Sequence, residues 1–309
     1  MPLDPTAKFF LDDLAKRNPP TWPEIPVEKG REIFESWKDL FGEGPQMAKV
    51  EDRQTDDGVA VRVFVPESPQ PLGTLVYFHG GGWVLGDVRT HDTLCRQFAA
   101  ESNCNVVAVD YRRAPEHQFP VALDDSYSAT RYAAACAKEF NVSEGNLIVA
   151  GDSAGGNLAA SVCLKARDEK GPQIKLQLLI YPVIDSRINS KSYTNYETGY
   201  GLTKDTMAWF WKQYAPTTDQ QAHPYASPCL ADDHANLPAA HVALAEYDVL
   251  HSEGELYAET LRAAGVETTV TTYDGQIHGF VHTNALFTWG KKAISDMAQI
   301  IQQRLGSGS

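Results

Sequence analysis

The chain is poor in the features that point to nucleic acids, membranes or a disulfide scaffold. Positive charge is scarce: 27 Lys and Arg stand against 40 Asp and Glu, for a formal net charge of −13 and an isoelectric point near 5.1. No basic run breaks that balance, which argues against nucleic-acid and anionic-membrane partners. No apolar run approaches the ~20 residues of a membrane-spanning helix. The opening Met1-Pro2-Leu3-Asp4-Pro5 has neither the positive charge nor the apolar core of a secretory signal. The five cysteines (Cys95, Cys104, Cys136, Cys163 and Cys229) are odd in number, scattered and without a CxxC. They read as free thiols of a reducing, cytoplasmic compartment. P-loop and G-x-G-x-x-G phosphate motifs are both missing.

What is present suits a large globular α/β protein. The chain has 309 residues, 43 % of them apolar, enough for a sizeable core. Residues 1–50 carry Phe9, Phe10, Leu14, Ile33, Phe34, Trp37, Leu40 and Phe41 at helical intervals, broken by Asn18-Pro19-Pro20-Thr21-Trp22-Pro23. Two amphipathic helices that need a surface to cover are expected there. From residue 59 the period becomes two, with Val59, Val61, Val63 and Val65 on one face. Short apolar strands are expected at 74–78, 105–109, 146–150, 176–180, 241–245 and 268–273. Helical patterns at 122–140 and 253–264 fall among them. Alternation of this kind implies a mostly parallel sheet covered on both faces. Residues 186–224 break it with a dense aromatic content and no strand pattern, as expected of a lid-like insertion. Residues 51–185 and 225–305 then form the α/β body. The terminal Gly306-Ser307-Gly308-Ser309 reads as a linker and is set aside.

The chemistry centres on Gly151-Asp152-Ser153-Ala154-Gly155. An apolar strand precedes it and a helical run follows, the context of a nucleophile elbow. Only small residues fit around so tight a turn, hence Gly151, Ala154 and Gly155. Acyl transfer at Ser153 needs a base, a group to orient that base, and donors for the oxyanion. His79-Gly80-Gly81-Gly82-Trp83 follows the strand at 74–78. Its glycines let backbone N–H groups approach a ligand, which makes Gly81, Gly82 and Ala154 the candidate oxyanion donors. Of nine histidines, His278 follows the last strand, where the Ser…Asp…His order puts the base. His79 props the glycine loop, whereas His91, His117, His223 and His234 read as surface residues. Asp248, just beyond the strand at 241–245, is the better orienting acid; Asp274 reads as a turn former. His278 and His282 have helical metal spacing but no further ligand nearby, so no metal is expected.

These residues resemble the hormone-sensitive-lipase-like carboxylesterases of the α/β-hydrolase superfamily. The resemblance rests on His79-Gly80-Gly81-Gly82, on Asp110-Tyr111-Arg112-Arg113-Ala114-Pro115-Glu116-His117, and on Gly151-Asp152-Ser153-Ala154-Gly155-Gly156. Ala226-Ser227-Pro228, Ala245-Glu246-Tyr247-Asp248 and Ile277-His278-Gly279-Phe280 add to it. It implies an α/β-hydrolase fold with a helical cap built from residues 1–50 and 186–224. It implies hydrolysis of small esters with short to medium acyl chains, without cofactor or metal. Pocket walls are expected from Trp83, Phe34, Leu202, Met207, Phe210 and Trp211. Pairing of two copies is expected through the last strand, from Thr268 to Tyr273. The chain departs from the family at Val249, His251 and Ser252, where Pro, Arg and Asp are common, and at Arg113, usually Leu. Two other readings keep the fold: a small-molecule receptor, which would lose a triad member, and an amide or carbamate hydrolase.

Overall fold

A computed structural model describes residues 2–306. Its centre is an eight-stranded sheet: β1 Lys49–Gln54, β2 Ala60–Val65, β3 Thr74–Phe78, β4 Asn105–Val109, β5 Leu147–Asp152, β6 Leu176–Ile180, β7 Ala239–Tyr247 and β8 Thr268–Ile277. The spatial order is β1-β2-β4-β3-β5-β6-β7-β8. Only β2 runs antiparallel to its neighbours, pairing Val63 with Glu51 on one side and with Val107 on the other. The strands from β4 to β8 are parallel.

Every strand from β3 to β6 is buried along its whole length. That explains why these segments read as continuous apolar runs rather than as alternation. Val76, Val107, Val149 and Val242 face one hydrophobic cluster. Leu75, Val106, Ile148 and Ala243 face the other. The helices are α1 Pro5–Arg17, α2 Val27–Ser36, α3 Lys38–Phe41, α4 Asp92–Ser102, α5 Val121–Ala135, α6 Ala154–Asp168, α7 Lys191–Asn195, α8 Lys204–Tyr214, α9 Thr218–Ala222, α10 His251–Ala263 and α11 Thr288–Gly306. Helices α5, α6 and α10 cover the first face; α4 and α11 cover the second. In α6 nearly every residue through Leu164 is buried, which its small side chains allow against both sheet and neighbouring helices.

The strands expected from residue 59 onward are all present. The last one runs on to Ile277, so Asp274 is an exposed strand residue rather than a turn former. β1 was not expected: Lys-Val-Glu-Asp-Arg-Gln carries no apolar alternation, and it forms at the sheet edge by pairing with β2. Between Asp185 and Pro224 the structure has α7, α8 and α9 and no strand. The two N-terminal helices part company. Ala7 of α1 joins the α11 side, where Phe10 meets Phe287 edge-on at 5.6 Å. Phe34 of α2 joins the opposite cluster, which also holds Met207, Phe210 and Trp211 of α8.

The strand order reverses between β3 and β5. After β3 the chain turns to one face through α4; after β5 it turns to the other through α6. Such a switch point leaves a crevice at the carboxyl ends of the two strands.

Candidate active site

Four of the expected residues occupy equivalent places. His79, Ser153, Asp248 and His278 each stand directly after the last residue of a strand, at the carboxyl ends of β3, β5, β7 and β8. The parallel sheet therefore collects them along one rim.

Ser153 sits at φ 56°, ψ −117°, a strained combination for a residue with a side chain. The surroundings hold it there. Its N–H donates to the Ile180 carbonyl at 2.8 Å, and its own carbonyl accepts from Asn157 at 3.1 Å and Val183 at 3.2 Å. Gly155 is what lets the turn lie against the sheet. A Cβ there would fall 1.9 Å from the Phe78 carbonyl oxygen, well inside any allowed contact.

The Ser153 Oγ lies 3.0 Å from His278 Nε2. The other ring nitrogen of His278, Nδ1, lies 2.6 Å from Asp248 Oδ2. Asp248 is buried, and its Oδ1 accepts the Leu250 N–H at 3.0 Å. Tyr181, which follows β6, packs its ring 4.7 Å from that of His278. Asp274 is exposed and makes no bond to His278.

The glycine loop is built over the same rim. Gly81 has φ 110° and Gly82 φ 62°. A Cβ on Gly81 would meet the Leu85 carbonyl oxygen at 2.5 Å, so glycine is required on both counts. The Gly81 carbonyl accepts from Leu85 at 2.8 Å. Among the described residues the N–H groups of Gly81, Gly82 and Ala154 have no acceptor, which leaves them available to an anionic oxygen. Gly80 N–H donates to Asp152 Oδ1 at 2.9 Å, as does the Tyr77 hydroxyl at 2.9 Å. His79 stacks on Tyr111 at 4.1 Å and props the loop as expected.

Beneath the loop lies a feature that the sequence did not disclose. His79, His91 and His282 are all buried. His91 and His282 stack at 4.1 Å, and His91 Nε2 lies 3.4 Å from Asp152. His91 and His234 are thus interior residues, not surface ones; His234 Nε2 bonds the Pro228 carbonyl at 2.9 Å. Their polar flanks hid this, because their partners lie far along the chain or on a turn of irregular backbone. Burial, reinforced by repulsion from His91, pushes both His79 and His282 down to about 3. For Asp152 burial acts upward, but His91 and the Tyr77 hydroxyl outweigh it and hold the carboxyl below its ordinary range.

The expected pocket residues divide. Trp83 is fully buried, stacked on Tyr214 at 4.2 Å and tilted against Trp211 at 4.8 Å. With Trp211 and Met207 it presents essentially no surface to a ligand. Phe210 lies over the glycine loop, where a Cβ on Gly82 would touch its ring. Phe34 and Leu202 keep some open surface. Among the described residues no His, Cys, Asp or Glu cluster is arranged to hold a metal. No helix among them is long and apolar enough to cross a membrane.

Comparison with known proteins agrees with this architecture. Residues 75–282 match a family described as alpha/beta hydrolase fold. The carboxylic ester hydrolase LipN of Mycobacterium tuberculosis is 41 % identical over 230 residues, 72 % of this chain and 61 % of LipN; the chain thus spans about three fifths of that relative's length. Carboxylesterase NlhH of the same species is 36 % identical over 289 residues, 91 % of this chain and 89 % of NlhH. A solved ester-hydrolase from the metagenome of Lake Arreo, complexed with a bipyridine phosphonate derivative, superposes with a TM-score of 0.92. It is 38 % identical and covers 98 % of this chain and 99 % of its own. The strand order, the reversal between β3 and β5, and these matches together show that the chain belongs to the α/β-hydrolase fold family, in its hormone-sensitive-lipase-like group of carboxylesterases.

Proposed function

We propose that the protein hydrolyses carboxylic esters through an acyl-enzyme on Ser153. One observation carries the reading: the unbroken line from Ser153 Oγ through His278 to Asp248, at 3.0 and 2.6 Å. His278 Nε2 takes the hydroxyl proton as Oγ attacks the acyl carbon. Asp248 keeps the imidazole oriented and balances the charge it gains. The former carbonyl oxygen becomes an anion beside the N–H groups of Gly81, Gly82 and Ala154. Each such donor is worth about 2.7–4 kcal/mol in the transition state. His278 then returns the proton to the departing alcohol, and water repeats the cycle on the acyl-enzyme. No step calls for a metal or a cofactor. The relatives named above as ester hydrolases support the bond type.

The acyl range we assign is short to medium, with the Phe210 ring over the glycine loop as the wall that limits it. The cap consists of α2 and the insertion at 186–224, with α1 tethered to the hydrolase body instead. The stretch Thr268 to Tyr273 of the edge strand β8 is where a second copy would pair, since unpaired strand edges recruit strands; further on, at Gly275, the edge is met by the Asp4 N–H. The unpaired cysteines suit a cytoplasmic setting.

A panel of p-nitrophenyl esters from acetate to decanoate tests the proposal. Turnover should peak at the shorter chains and vanish in Ser153→Ala. Ligand binding without turnover would favour a receptor, and faster cleavage of matched anilides than of esters would favour an amidase.

A further inference from the structure

Within the five residues of α7, only Ser192 and Tyr193 are buried. Both belong to the insertion, and both are turned toward the segment that carries Asp248. The Ser192 hydroxyl donates to the Val249 carbonyl at 2.5 Å and accepts the Ser252 N–H at 3.1 Å. In return the Ser192 N–H donates to the Ser252 hydroxyl at 3.2 Å. Ser190 Oγ adds a fourth contact at 3.2 Å.

The carbonyl that Ser192 grips is one half of a peptide group. The other half is the Leu250 N–H, and that N–H is the donor to Asp248 Oδ1. A planar trans peptide ties the direction of its C=O to the direction of its N–H. Fixing the Val249 oxygen therefore fixes the hydrogen that Asp248 accepts. A bond accepted at the carbonyl also polarises the N–H, so the contacts strengthen one another along the row. The row runs from the Ser192 hydroxyl through the 249–250 peptide to Asp248 Oδ1, then from Oδ2 to His278 and on to Ser153.

We propose that Ser192 is a positioning residue for Asp248: its hydroxyl locks the 249–250 peptide, and through it the rotation of the carboxylate that orients His278. This rests on the ester-hydrolase reading. It extends that reading by making the insertion, through α7, part of the proton-transfer apparatus as well as a wall. Ser252 is the counterpart. Its hydroxyl takes the Ser192 N–H and makes no bond to the 249–250 peptide, so it secures α7 without reaching Asp248.

The test compares Ser192→Ala, Ser252→Ala and Ser192→Cys with the unaltered chain, using p-nitrophenyl acetate turnover per organophosphate-titrated site. Proton NMR of the low-field signal from the Asp248–His278 hydrogen bond is recorded alongside. Ser192→Ala should lower kcat about tenfold with KM unchanged and displace the low-field signal. Ser252→Ala should change kcat less than about twofold and leave the signal in place. Ser192→Cys, which keeps a weak donor, should fall between and remains informative if the alanine variant fails to fold. An unmoved NMR signal in Ser192→Ala, or equal losses in the two alanine variants, overturns the positioning role. An unaltered chain without ester turnover and without labelling at Ser153 overturns the ester-hydrolase reading instead. The NMR comparison still decides the role of Ser192 in that case.

Discussion

On the β3–β5 side of the cleft, Ser153 is held by main chain. Its strained dihedrals are enforced by backbone bonds to Ile180, Val183 and Asn157, and by a glycine seated against the Phe78 carbonyl. On the β7–β8 side, Asp248 and His278 are held by side chains and loop peptides: Leu250 N–H on one carboxylate oxygen, imidazole on the other, and Ser192 behind. The first arrangement depends on shape and tolerates almost no added volume. The second depends on hydrogen-bond direction and tolerates volume better than it tolerates a lost donor.

Substitutions can separate the two sides. The largest effect should come from Ser153→Ala, with kcat for p-nitrophenyl acetate falling on the order of 10⁶-fold while the unfolding temperature changes little. Asp248→Asn should cost about 10⁴-fold in kcat with the fold intact; retained activity would remove Asp248 from its proposed role. Gly155→Ala attacks shape instead, and should destabilise the chain by about 3 kcal/mol in urea titrations, because the new methyl group meets backbone that cannot step aside. An unchanged urea midpoint would show that the elbow is softer than its contacts indicate.

Acid should weaken the β3–β5 side through its buried histidines. His79 and His282 are held near 3 in the folded protein, against an ordinary 6.5. Below about 6.5 the unfolded chain gains protons that the folded chain does not. Their contribution is therefore complete above that pH and is lost as pH falls toward 3. Each histidine supplies a slope of about 1.4 kcal/mol per pH unit within the window. Asp152, held below its ordinary range, contributes above the unfolded carboxylate range and adds to the loss only in stronger acid. Urea midpoints measured from pH 7 to 4 should decline steadily, and His282→Phe should make that decline shallower. A flat profile in the unaltered chain would contradict the buried neutral state. The smallest effect belongs to Asp274→Asn, which should leave kcat within about twofold because the side chain is exposed on β8.

What could be read from the sequence divides along the same line. Ser153, its small neighbours and the glycine loop are legible because they are local: each motif states its own geometry within a few residues. Asp248 and His278 are legible as candidates from their place after strands, since a parallel sheet gathers the residues that follow its carboxyl ends. The interactions behind them were not legible. Ser192 is one polar residue in a polar stretch, and nothing in Lys-Ser-Tyr-Thr-Asn marks it as buried. His91 and His282 stack although they lie far apart in the chain. β1 escaped notice because an edge strand of charged residues carries no apolar period. The family resemblance implies Trp83 as a pocket wall, but its ring fills the space between loop and α8, a packing partner that lies far along the chain.

The reversal of strand order between β3 and β5 has a further consequence. Because the chain leaves these neighbouring strands toward opposite faces of the sheet, the cleft exists before any side chain is chosen to shape it. On the proposed reading, recognition would be rewritten from outside, in α2 and α8, while Ser153, Asp248 and His278 stay anchored at the ends of the strands below. A lineage built on this scaffold would then exchange one substrate for another by altering those two helices, provided α7 keeps its hold on the segment after Asp248.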